Sequence, residues 1–166
     1  MKNNFFKSGF TLVEVVVILF VMSMGLIGVL SLITQNIQSQ SYNKSNLMAY
    51  QLAQEGVELI RKVRDSNWRD GLSYDDKLAA GEYFMSYNDA APQAHDPAHP
   101  EELVLRQEAS NFYTHNPVAP KVTPFSRLIT ITAVDANSFR VVVTISWAEF
   151  GRNYVYNLET ALYNWR

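Results

Sequence analysis

The sequence predicts an α+β chain in which one long N-terminal helix is followed by a C-terminal antiparallel sheet. Two observations carry that expectation. An apolar run beginning near Phe10 passes without Pro or charge run into an amphipathic stretch that reaches Ser66. The last forty-odd residues instead alternate Val, Ile, Thr, Phe, Tyr and Trp in three segments parted by hairpin-length connections.

Residues 10–33, about two dozen, are long enough to span ~30 Å of hydrocarbon as a helix, and the run Val15 to Met22 within them is apolar all round. Lys2 and Lys7 precede the run and no Lys or Arg follows until Lys44, which places the N-terminus in the cytoplasm and the C-terminal bulk outside. A secretory signal peptide would have a shorter apolar core and a cleavage site of small residues; here the run continues past Ser23, Gly25, Gly28 and Ser31. A plain single-pass anchor fits the hydropathy but gives no reason for Glu14, the one charged side chain between Lys7 and Lys44. An ionisable group at membrane depth costs about 2.5–3.5 kcal/mol on insertion scales, so it calls for a partner.

Gly9-Phe10-Thr11-Leu12-Val13-Glu14 resembles the class III signal of type IV pilins and pseudopilins: a short basic leader ending in Gly, then Phe, then an apolar helix with Glu four residues after the Phe. The match lies at the N-terminus and is followed by the required apolar run. The resemblance implies cleavage between Gly9 and Phe10 by a prepilin peptidase, N-methylation of the new amine of Phe10, and retention of the apolar helix. Cleavage would leave a cationic amine about one helical turn from Glu14. Where such helices bundle away from water, the Glu14 carboxylate of one subunit can neutralise the amine of the next, and either charge left unpaired is costly. Glu14 is therefore expected to act in assembly. Major pilins of the family often carry a Pro in this helix; here none precedes Pro92, and Met24-Gly25-Leu26-Ile27-Gly28-Val29-Leu30 looks like the minor pilins and minor pseudopilins. Gly25 and Gly28 also read as small residues permitting close helix contact.

In residues 34–66, Ala49, Leu52, Ala53, Gly56, Val57, Ile60 and Val63 recur at three- and four-residue spacing, an amphipathic stripe. Glu58 with Lys62 and Arg61 with Asp65 are spaced for i,i+4 pairs worth about 0.2–0.5 kcal/mol each, so the stripe, not the charges, defines the helix. Asn67 and Gly71 are candidate stops. A continuous helix from residue 10 to about 65 would be roughly 80 Å long. Gly56 is either a point of close approach by a sheet or a tolerated helix glycine costing ~1 kcal/mol.

The head, residues 67–166, begins irregularly. Residues 82–87 and 103–107 are candidate strands and 90–100 a loop rich in Ala and Pro. Residues 127–134, 138–148 and 153–162 form the expected meander, with Phe139, Val141, Val143, Ile145 and Trp147 on one face, suited to the helical stripe. A long helix on such a sheet is the pilin fold that the N-terminal resemblance also implies. Tyr163-Asn164-Trp165-Arg166 is expected to cover the sheet edge. With Cys 0 the head has no disulfide, a departure from many Gram-negative pilins.

Chemistry is sparse. His95, Asp96 and His99 have a zinc-like spacing, but Pro97 and Pro100 oppose a helix there, and a solvated loop is expected. Asp70, Asp75, Asp76 and Asp89 offer oxygens without the spacing of an EF-hand. No catalytic residue, cofactor or metal site is predicted and the chain is read as not an enzyme. With a formal net charge of -2, and Arg61, Lys62, Arg64 and Arg69 as the one basic cluster, nucleic-acid binding has no clear support. The function expected is a structural subunit, a minor pilin or pseudopilin of a type IV pilus or type II secretion-like filament. The partners implied by the resemblance are prepilin peptidase, other pilin subunits, a platform protein and an assembly ATPase, with the inner or cytoplasmic membrane as host before assembly. The rival from another class is a single-pass membrane-anchored extracytoplasmic binding or sensor domain. The layout is then a leader at 1–9, a transmembrane or filament-core half at 10–33, an amphipathic half at 34–66 and the head at 67–166.

Overall fold

The computed structural model describes Gly9 and residues 11–165. The chain is α+β: one helix, α1 (Leu12–Arg69), precedes an all-antiparallel sheet. Two compact units divide it, Met1–Asn43 and Lys44–Arg166.

In the first unit α1 opens on a cap. The Glu14 amide donates to Thr11 Oγ1 at 3.2 Å and the Val15 amide to the Thr11 carbonyl at 3.1 Å, satisfying donors that a first turn leaves orphaned. Residues 11–40 are exposed throughout, from Leu12 at 82% to Ile33 at 50%. This is a helix long and apolar enough to cross a membrane. Two of its hydroxyls turn back on its own backbone: Ser23 Oγ donates to the Leu19 carbonyl at 2.7 Å and Thr34 Oγ1 to that of Leu30 at 3.0 Å. Polar groups so satisfied are compatible with hydrocarbon.

In the second unit the stripe is buried as its spacing requires: Ala49, Leu52, Ala53, Gly56, Val57, Ile60 and Val63 all lie in the core. α1 ends in a Schellman turn. The Leu72 amide donates to the Asn67 carbonyl at 2.9 Å and the Gly71 amide to that of Trp68 at 3.3 Å, with Gly71 at φ 76°, where a Cβ would be strained. Asn67 does not stop the helix. It is buried inside the last turns and its amide donates to the carbonyls of Asp76 at 2.7 Å and Tyr74 at 3.3 Å. The ion pairs of α1 also differ from the expected ones: Arg61 meets Glu58 at 3.3 Å on the surface, and the buried Arg64 meets Asp65 at 2.8 Å.

The sheet is organised around β5 (Lys121–Asp135). One edge of β5 carries β6 (Ser138–Glu149) and then β7 (Arg152–Tyr163), the expected meander, whose second turn, Phe150-Gly151, has positive φ at both residues. The other edge is shared. Its first half pairs β3 (Val104–Gln107), its second half β1 (Gly81–Phe84), and two-residue strands β2 (Gln93–Ala94) and β4 (Tyr113–Thr114) flank these. The expected strand at 127–134 thus begins six residues earlier, across Pro124. That residue precedes the first β6 pair, Phe125 with Trp147, and faces the register shift between Val104 and Arg106 of β3. A residue without an N–H is tolerated at such an irregularity, and Thr123 Oγ1 supplies the Leu105 carbonyl with a donor at 2.6 Å. The closing Trp165 packs edge-on to Trp68 at 4.7 Å, so the tail sits against the end of α1.

The inward face of β6 (Phe139, Val141, Val143, Ile145, Trp147) and Phe125, Ile129 and Ile131 of β5 share one core with the stripe. Burying each such side chain contributes about 1.5–3 kcal/mol. Gly56 is the point of close approach: a Cβ there would lie 2.9 Å from Val143 Cγ1 and 3.3 Å from Arg127 Cδ. Gly56→Leu is therefore expected to lower stability by about 1–3 kcal/mol through overpacking. Chemical denaturation measures it; a variant as stable as the parent would contradict the contact.

Candidate functional site

Two regions carry the residues of interest. At the N-terminus, Gly9 is exposed, and no atom of the described residues would lie within 4 Å of a Cβ there. Phe10, expected to be cut from Gly9 and N-methylated, lies outside the described residues. Glu14 occupies the first turn of α1 and is exposed. Thr11-x-x-Glu14 is also a capping-box spacing, a signal present in the sequence that explains where the helix begins. The carboxylate favours that end of the helix for a second reason, since negative charge near a helix N-terminus is worth about 0.3–1 kcal/mol. The cap itself uses the Glu14 backbone amide, so the side chain is not consumed by it.

The basic cluster is not a patch of free cations. Arg64 is buried, pairs Asp65 through two nitrogens and sits over the Trp68 ring at 4.6 Å. Arg69 meets Asp70 and Ser66, and Lys62 reaches the Tyr87 carbonyl. In the 90–100 segment, Asp96 and His99 pair with each other at 3.1 Å. The Ala98 amide and His99 hold the Asp96 carboxyl low, and Asp96 raises His99. His95 turns instead to Glu102 at 3.4 Å. Asp70, Asp75 and Asp76 follow the end of α1, while Asp89 accepts from the Ser86 amide at 2.8 Å. Among the described residues no three His, Cys, Asp or Glu side chains gather as metal ligands would.

The second region is a cleft of about 520 Å³ in the head. Its walls come from β1 and the turn after it (Phe84, Ser86, Asn88, Asp89), from the 3₁₀ turn Pro100–Leu103 with β3 (Glu101, Glu102, Arg106), and from the end of β4 (Thr114, His115). No sequence pattern announces it, because these residues are brought together by short strands and turns. Ser86 organises one side: its Oγ lies 2.9 Å from the His115 amide and 3.2 Å from Thr114 Oγ1.

His115 is buried at 9% exposure. Its Nδ1 lies 2.9 Å from the Glu102 carbonyl, an acceptor only, so this nitrogen carries the proton and Nε2 is left as an acceptor with no partner among the described residues. Burial, and then the charge of Arg127, depress its pKa to about 3. A histidine lowered on folding takes up its proton more readily unfolded. Stability is therefore full above the unfolded value near 6.5 and falls as pH drops towards the folded value. From pH 6.5 to 5.0, above most of the carboxylate range, the head is expected to lose roughly 1–2 kcal/mol, and His115→Gln to flatten that slope. Denaturation at stepped pH reads both; an unchanged slope in the variant would show that another group titrates.

Beneath this side of the head lies Arg127, fully buried. Nη2 donates to the Met85 carbonyl at 2.7 Å, Nη1 to that of Leu52 at 3.2 Å, and Nη1 stands 3.1 Å from Glu55 Oε1. Burial lowers its pKa and Glu55 opposes that shift. Period two in β5 already puts Arg127 on the face of Phe125, Ile129 and Ile131, which was the available signal.

No protein-family model, no curated protein and no solved structure matches this chain.

Proposed function

We propose that this chain is a subunit of a type IV pilin-like filament, of the minor pilin or pseudopilin type, that matures by cleavage after Gly9 and N-methylation of Phe10 and assembles through the first half of α1. The observation that carries the reading is the run Gly9-Phe10-Thr11-Leu12-Val13-Glu14 at the head of a helix whose apolar surface is exposed on every side from Leu12 to Ile33. Such a surface needs a cover, first lipid and then neighbouring helices. The lone carboxylate supports neighbouring helices as its final setting, because lipid offers it no counter-charge whereas a neighbour's new amine does. The long helix, its stripe buried under an antiparallel sheet, supports assigning the pilin fold. On this reading the chain is a substrate of prepilin peptidase and not itself an enzyme. It meets a platform protein, an assembly ATPase and other pilins, passing from the inner or cytoplasmic membrane to a periplasmic or extracellular filament.

Mass spectrometry of the chain recovered from a host with an active prepilin peptidase tests this. The expected N-terminal residue is N-methyl-Phe10. An intact Met1, or a cut beyond Ser23, would overturn it in favour of an anchor or a secreted head.

A membrane-anchored extracytoplasmic binding or sensor domain is the second reading. The observation in its favour is the polar cleft in the head, which a purely structural subunit does not need.

A further inference from the structure

We propose that the head cleft is a binding site for a neutral saccharide. Its volume, about 520 Å³, falls within the ~300–1,000 Å³ usual for small-molecule sites. The lining is dominated by planar polar side chains, with the ring of Phe84, tilted against His115 at 5.3 Å, as its aromatic element.

The charges select the ligand class. Asp89, Glu101 and Glu102 stand against the single guanidinium of Arg106, with His115 neutral, so the walls are net negative and repel phosphates and other anions. A bare cation fits no better. Asp89 Oδ2 already accepts from the Ser86 amide and from Gln93, and Glu102 Oε2 faces His95 and the Asp96 amide. Arg106 would repel a cation directly. Among the described residues the lining side chains of Asn88, Glu101 and Arg106 make no hydrogen bond or ion pair, Glu101 acting only at a distance on His99, and the buried Nε2 of His115 has no partner, which leaves a mixed set. This set presents donors and acceptors together. A sugar hydroxyl donates and accepts at once, so adjacent hydroxyls can satisfy a carboxylate and a guanidinium side by side without bringing charge. The Phe84 ring offers the apolar surface on which the C–H face of a sugar ring can lie. The proposal does not depend on the N-terminal reading: it concerns the head alone and would stand if the chain were only anchored.

The test is a titration of the full chain in zwitterionic detergent micelles, which bring no sugar headgroups, followed by amide NMR. The probes are cellobiose, lactose and N,N′-diacetylchitobiose, with putrescine and inorganic phosphate as comparators. The expected result is saturable shifts of the Asn88, Gln93 and Asn116 side-chain amides with at least one disaccharide and none with the comparators. Asn88→Ala and Glu101→Ala remove exposed side chains that make no hydrogen bond or ion pair in the fold, so each should leave the spectrum unchanged beyond its immediate neighbours (His99 for Glu101) while weakening that disaccharide at least tenfold. Three results would each overturn the proposal: no shift with any disaccharide, saturation by putrescine or phosphate in place of a sugar, or undiminished affinity in both variants.

Discussion

Arg127→Ala is expected to cost the head about 3–5 kcal/mol, the scale seen when one partner of a buried ion pair is removed. The guanidinium is fully buried and reaches three acceptors: Glu55, the Leu52 carbonyl on α1 and the Met85 carbonyl just past β1. Truncation leaves a cavity in the core, the Met85 carbonyl without that donor, and the Glu55 carboxylate, about one-third exposed, without its counter-charge. Arg127→Met keeps most of the volume and should lose less, which separates packing from charge. Glu55→Gln should also destabilise, by a smaller amount because Glu55 reaches solvent. Denaturation of the full chain followed by fluorescence of Trp68, Trp147 and Trp165, all in the head, gives the order. A loss under about 1 kcal/mol for the alanine variant would mean that Arg127 is not what ties helix, first strand and central strand together.

The second large effect concerns assembly. Glu14→Ala is expected to be processed normally and to enter filaments at least tenfold less than the parent, because an incoming amine finds no carboxylate in a water-poor bundle, a deficit of more than 1.4 kcal/mol by the usual conversion. The cap provides the control. The Thr11 hydroxyl accepts from the Glu14 backbone amide, not from its side chain, so Glu14→Ala leaves that cap in place. Thr11→Ala does the reverse, weakening the helix start by about 1 kcal/mol and sparing the carboxylate. Filament content by immunoblot of sheared fractions should fall sharply in the first variant and little in the second. Equal falls would assign Glu14 to helix initiation alone, and normal incorporation of Glu14→Ala would end the pairing argument.

The elements that sequence reading located well are those with long, uninterrupted periodicity. The stripe from Ala49 to Val63 repeats at helical spacing for four turns, and Phe139 to Trp147 alternates without a break; each pattern has one geometry that buries it. Pro124 hid the first half of β5, because tolerance of a missing N–H depends on a register shift in another strand. β2 and β4, two residues each, carry no periodicity at all. The same cause concealed the cleft: Phe84, Glu101, Arg106 and His115 meet only after short strands pair with β5. Gly56 was half legible, since a glycine facing a predicted sheet signals contact, yet only Val143 at 2.9 Å decides it. The N-terminal motif is the opposite case. Its residues are contiguous, so its reading rests on order along the chain, and the structure adds the cap at Thr11.

That cap has a bearing on maturation. Among the described residues the hydrogen-bond ladder of α1 takes its first acceptor from Thr11, two positions beyond the proposed cut after Gly9, so that cut removes none of the described rungs of the rod. If the proposed processing takes place, trimming and helix integrity are uncoupled: a peptidase working just upstream need not unwind the rod from Thr11 onward, and the trimmed polypeptide would leave with its spine already set.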